Sequence, residues 1–181
     1  MNSSDSKLDL KTVADRAKHI IQNPVNGWDE VKSYNYDLKG VMLNYYALIA
    51  LIPAIAMFLS HWLFGFDAGF VKVKFGIGQA FQMAIVGYLQ SLLGVFVGAH
   101  VLNFLIPKLG GAISKADGAK YIAFAGTAAA LSGIGYVIPM LGWIIGLVGA
   151  IYSIYTYYQG FCPMTGTPVE KKLVNFIITV I

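Results

Sequence analysis

Tyr121–Val169 reads YIAFAGTAAALSGIGYVIPMLGWIIGLVGAIYSIYTYYQGFCPMTGTPV. These forty-nine residues contain no Lys, Arg, Asp or Glu. A membrane-crossing helix needs about 20 apolar residues, so the run is long enough for two helices and a turn. Gly135-Tyr136-Val137-Ile138-Pro139 carries the turn residues, because Gly and Pro punctuate an otherwise helical pattern. Two helices joined this tightly run antiparallel, with their outer ends on the same side of the membrane.

The rest of the chain fits the same solvent. Of its 181 residues 57% are hydrophobic and 12% charged, with a mean hydropathy of +0.64. A soluble domain carries about 25% charged residues. Lys39 and Asp67 enclose 27 uncharged residues, and Lys74 and Lys108 enclose 33. No soluble core needs four near-continuous apolar spans. The expected fold is all-α: a polytopic transmembrane bundle of four full spans and a truncated fifth, with an N-terminal amphipathic helix at the membrane surface. Residues 1–40 form the interfacial segment and 41–181 the transmembrane domain. The spans are placed at about 41–64, 79–106, 119–135, 139–158 and 172–181.

The amphipathic segment follows from spacing. Leu10, Val13, Ala14, Ala17, Ile20 and Ile21 repeat at the helical period, which predicts one apolar stripe. Ser4 or Ser6 is the expected cap. The stripe suits either the membrane surface or the protein's own bundle. Asn23-Pro24 ends this helix. A second short interfacial helix follows, with Trp28 expected among lipid headgroups. Tyr34, Tyr36, Tyr45 and Tyr46 are read as an aromatic belt. Pro53 should kink span one. Phe70 to Phe75 alternates apolar and polar residues, as a short strand or an extended loop.

Span two is unusually polar. Gln79, Gln82, Gln90, His100 and Asn103 fall within an arc of about 140° at 100° per residue. That face is expected to look into the bundle or into a wet cavity. Gly94, Gly98, Gly126, Gly142, Gly146 and Gly149 are read as packing positions, since small residues let helix backbones approach closely in lipid. Leu173 to Ile181 is half a span long, and the natural chain is expected to continue, the alternative being a half-span kept buried by its neighbours.

Lys32, Lys39, Lys108, Lys115, Lys120, Lys171 and Lys172 fall on one side of this topology, with Lys72 and Lys74 on the other. The bias places the N-terminus in the cytoplasm. The net charge of +4 therefore reflects topology, and nucleic acid is not an expected partner. A single cysteine, Cys162, excludes an intramolecular disulfide and a cysteine metal cluster. It reads as a loop thiol, with lipid acylation the alternative. No phosphate loop, nucleophile elbow or zinc-protease pattern is present. The chemistry therefore points away from an enzyme, and no cofactor or metal is expected.

Asn23-Pro24-Val25-Asn26-Gly27-Trp28-Asp29-Glu30-Val31, the glycine-rich hairpin, and Tyr152-Ser-Ile-Tyr155-Thr-Tyr157-Tyr158-Gln-Gly160-Phe161 with the Lys171-Lys172 that follows carry a resemblance. In these the chain resembles the Yip (Ypt/Rab-interacting protein) domain family, in its bacterial inner-membrane branch. The resemblance implies five spans, a multi-pass inner-membrane location and homo- or hetero-oligomerisation. Membrane lipids, further copies and other membrane proteins are then the expected partners. Two functions follow as expectations: a non-enzymatic scaffold or adaptor, or a small transporter or channel with a polar pathway along span two.

Overall fold

The structure, a computed structural model, describes residues 9–67, 71–138 and 141–180. Helix α1 (Leu10–Gln22) starts at Asp9, whose carboxylate accepts from the Lys11 amide. Asp9 therefore stands where a serine cap was expected; Ser4 and Ser6 lie outside the described residues. Hydrogen bonds from the Thr12 hydroxyl and the Lys11 amide hold the Asp9 carboxyl below its usual range. A turn leads to α2 (Trp28–Ser33). Next come α3 (Leu38–Val41), a π-helical turn over Met42–Tyr46, and α4 (Ala47–Leu63). These three form one uninterrupted helix from Leu38 to Leu63. It passes through Pro53, whose ring packs on Gly133; a Cβ there would lie 2.5 Å from the Pro53 Cβ.

A two-residue antiparallel hairpin, β1 (Phe66–Asp67) with β2 (Lys72–Val73), joins α4 to the next helix. Its expected start at Phe70 lies outside the described residues. Helix α5 (Ile77–Leu105) is extended by a 3-10 turn to Leu109. The segment expected as the third span is broken. It consists of α6 (Lys115–Ala125), α7 (Thr127–Ser132) and a 3-10 turn over Gly133–Val137. Helix α8 runs from Gly142 to Thr165, and α9 from Lys172 to Val180. The expected turn residue Pro139 lies outside the described residues.

Two helices, Leu38–Leu63 and Ile77–Leu109, are long and apolar enough to cross a membrane. The described residues are otherwise mainly helical, as the periodicity predicts, but only these two helices among them meet the length and hydropathy of a span, against the four full spans expected. Helix α8 departs from the expected 139–158. It continues seven residues further, so Cys162 and Pro163 sit in a helix and not in a loop. The loops after α5 and α8 meet at one end, where the Ala112 amide donates to the Thr165 carbonyl at 2.8 Å. Lys32 reaches the same end, with Nζ 3.1 Å from the Pro163 carbonyl.

Candidate functional site: an aromatic junction at the lysine-rich end

The last three turns of α8 form a seat for the N-terminal helices. Trp28 is 1% exposed, and its indole lies on Gly160, where any Cβ would overlap the ring. Its Nε1–H donates to the Pro24 carbonyl at 3.0 Å. The expected headgroup position is therefore wrong for Trp28. Burying the indole on a glycine removes more apolar surface from water than an interfacial site would, and its one donor is satisfied locally. Tyr36 and Tyr45 are likewise buried, not belt residues. Tyr45 stacks on Phe124 with ring centroids 3.9 Å apart. Its hydroxyl donates to the Thr127 hydroxyl at 2.7 Å, which in turn donates to the Ala123 carbonyl.

Around this core the contacts run between elements. Arg16 of α1 lies over the rings of Tyr34 and Tyr36, at 4.2 and 4.8 Å, and donates to the Tyr36 hydroxyl. Tyr34 donates to Glu30; burial, then that carboxylate, pushes its phenol well above the usual range, so it stays a neutral donor. His19 Nε2 sits 3.0 Å from Glu30 without hydrogen-bond geometry, tying α1 to α2. Tyr152 of α8 donates to the Ile21 carbonyl at 2.6 Å. Tyr121 donates to the Tyr157 carbonyl, and Tyr157 to the Ile122 carbonyl. Lys120 is 4% exposed. Its ammonium donates to the Lys32 carbonyl and to Asp117, so it serves packing as well as charge bias.

Part of the α1 stripe faces the protein: Val13, Ala17 and Ile20 are buried against the bundle, whereas Leu10 and Ala14 of the same stripe are exposed. An apolar cavity of about 550 Å³ remains between α1 and α4, with Lys18 at its rim. A second, mainly apolar cavity of about 350 Å³ lies beside the break at Gly126; Tyr46, Ser91, Tyr136, Ser153 and Tyr157 are among its lining residues, with Pro53 and several alanines. The Ser153 hydroxyl accepts from the Ala129 amide at 2.9 Å, satisfying backbone beside the break.

The five polar residues of α5 are not brought together inside the bundle. Gln79 caps its own helix, accepting from the Gly76 amide at 3.0 Å. His100 Nδ1 donates to the Phe96 carbonyl. Asn103 donates to the Ile113 carbonyl at 2.7 Å and fastens the following loop. Gln82 and Gln90 are exposed. The buried face of α5 is the opposite one, made by Ala80, Ala84, Val95, Ala99 and Leu102. Small side chains let α4 and α6 approach there, which turns the glutamines outward.

A Cβ at Gly98 would fall 2.5 Å from Ile122, one at Gly126 3.1 Å from the Ile122 carbonyl, one at Gly142 2.7 Å from the Gly135 carbonyl, and one at Gly146 3.1 Å from the Tyr136 hydroxyl. At Gly149 a Cβ would overlap Ser132. Gly94 differs, since nothing lies within 4 Å of its Cβ position. Among the described residues no three His, Cys, Asp or Glu side chains gather as metal ligands. The seat on α8 went unread in the sequence, although Gly160 within a run of tyrosines and Trp28 in the entry segment were its signals.

These features define a class: a helical bundle with two helices long and apolar enough to cross a membrane, whose N-terminal helices are seated on an aromatic junction. Within that class the chain belongs to the Yip1 domain family, whose model matches residues 18–181. No curated protein and no solved structure matches the chain.

Proposed function

We propose that the chain is a non-enzymatic membrane scaffold with four full spans and its lysine-rich end in the cytoplasm, seated in a bacterial inner membrane. It acts through helix–helix and partner contacts. The observation that carries this reading is the junction itself. The polar and aromatic groups of the signature Tyr152–Phe161 go into holding α1 and α2 as a fixed platform. Membership of the Yip1 domain family, not known as an enzyme family, supports it. Crosslinking in native membranes tests the reading. The wild-type chain is expected to capture a defined set of membrane proteins. Gly160→Leu, which unseats Trp28, should lose that set while remaining inserted. Ion or solute flux through the purified protein in liposomes would overturn it.

One observation favours a second reading as a transporter. The segment expected as the third span breaks at Gly126 beside the cavity of about 350 Å³, and broken helices mark binding sites in secondary transporters. Such a pathway runs through the interior and not along the outward glutamine face of α5. It would carry an uncharged solute, and Ser153→Leu should block it.

A further inference from the structure

Helix α1 leaves part of its apolar stripe and one of its cations without a partner in the bundle. Val13, Ala17 and Ile20 are buried, but Leu10 and Ala14 are exposed. Both line the cavity of about 550 Å³, whose other wall holds Leu48 and Ile52. That wall belongs to the helix Leu38–Leu63, which is long and apolar enough to cross a membrane. A further apolar cavity of about 500 Å³ lies between α7 and α8, against Val148 and Tyr152. Ile21 and Leu131 line both cavities, so the two adjoin at the last turn of α1.

Lys18 stands on the same turn. Arg16 is engaged by Tyr34 and Tyr36, and His19 by Glu30. Lys18 is exposed and makes no hydrogen bond or ion pair with another described residue. Among the described residues it is also the one charged side chain lining either cavity. The carbonyls of this turn do not compete with an anion for the site unmet: His19 accepts from the Asn23 amide and Ile21 from Tyr152.

Apolar space of this size stays dry and takes up an apolar molecule. An ammonium at its mouth favours an occupant with an anionic end. A wall on a membrane-crossing helix makes lipid the molecule at hand. One acyl chain would fill one cavity and leave its neighbour empty. A lipid with two chains fills both, and its phosphate then lies where they adjoin, beside Lys18.

We propose that the two cavities hold the two acyl chains of one anionic phospholipid, with its phosphate on Lys18. This goes beyond the scaffold reading and needs only that the chain inserts in a membrane.

Native mass spectrometry of the full chain, titrated with phosphatidylglycerol or with phosphatidylcholine of the same acyl chains, tests it. One phosphatidylglycerol per chain should be retained in preference to phosphatidylcholine. Lys18→Gln should raise the phosphatidylglycerol dissociation constant about fivefold and leave phosphatidylcholine unchanged. Lys18→Arg should restore it, and Lys115→Gln, which lines neither cavity, should have no effect. Ala14→Trp, at an exposed position on the cavity wall, should weaken both lipids with helical content retained. Equal retention of the two lipids by the wild type overturns the proposal. So does an unchanged Lys18→Gln, a Lys115→Gln loss as large, or single-chain lysophosphatidylglycerol binding as tightly. Vesicle flotation is read alongside: a chain that inserts without preferring the anionic lipid defeats the site alone, whereas failure to insert defeats the membrane reading with it.

Discussion

Gly160 and Trp28 show how one position can decide the placement of a whole segment. A methyl at residue 160 would collide with the indole, and the indole is too large to shift within a filled core. Gly160→Ala should therefore destabilise the chain by about 1–3 kcal/mol, as overpacked sites do. In a Trp28→Ala background the same change should cost much less, since the clash is gone. Thermal unfolding in detergent, followed by tryptophan-independent circular dichroism, reads both arms. Equal costs would show that the contact is not the source. Ser153 makes a second, subtler case. Ser153→Ala leaves the Ala129 amide beside the Gly126 break without its acceptor. The expected loss is about 1–3 kcal/mol, with faster hydrogen exchange confined to α7. An unchanged exchange rate there would mean that other groups satisfy the amide.

At the scale of elements, α1 and α5 each present two faces with different duties. Val13, Ala17 and Ile20 of the apolar stripe of α1 are turned to the bundle, while Lys11, Asp15 and Lys18 face outside. Burying Val13, Ala17 and Ile20 is worth about 1.5–3 kcal/mol for a large side chain. Helix α1 is therefore held by packing, with the Arg16 contacts and the Tyr152–Ile21 hydrogen bond setting its angle. Ala17→Glu should release it: hydrogen exchange across 10–22 rises to that of a free peptide, while α5 keeps its protection. Protection of α1 retained in this variant would show that the polar contacts suffice. Helix α5 repeats the logic, with three alanines, Val95 and Leu102 inward and its glutamines and larger side chains outward. The inward series from Ala80 through Ala84 to Val95, Ala99 and Leu102 was visible in the sequence. The glutamines drew attention because polar groups in membranes usually face inward. Here the close approach of α4 and α6 needs alanine and glycine on that side, so the glutamines are left outside.

For the whole molecule, the lysine-rich end is one surface. The Lys32–Pro163 and Ala112–Thr165 hydrogen bonds join the N-terminal segment, the loop after α5 and the loop after α8. The hairpin between β1 and β2 lies between the two long helices at their other ends. In inside-out and right-side-out vesicles of a Cys162→Ser chain, an impermeant thiol reagent should label Lys115→Cys only from the cytoplasmic side. Lys74→Cys should be labelled only from the opposite side. Both residues reacting from one side would overturn the four-span topology.

The apolar runs, the helical period and the lysine bias were enough to determine a helical chain, its two helices long and apolar enough to cross a membrane, and which loops share an end. Those depend on local hydrophobicity and on the backbone's need to satisfy its own hydrogen bonds in lipid. Tertiary structure alone decided that Trp28, Tyr36 and Tyr45 go inside, that α8 runs on through Pro163, and that α6 and α7 part at Gly126. An aromatic side chain is equally at home at a lipid interface and in a core. Only the glycine opposite Trp28, and the fit of Tyr45 on Phe124, select the core. The same holds for α5: periodicity showed two faces, and which one turned inward depended on how closely its neighbours could approach.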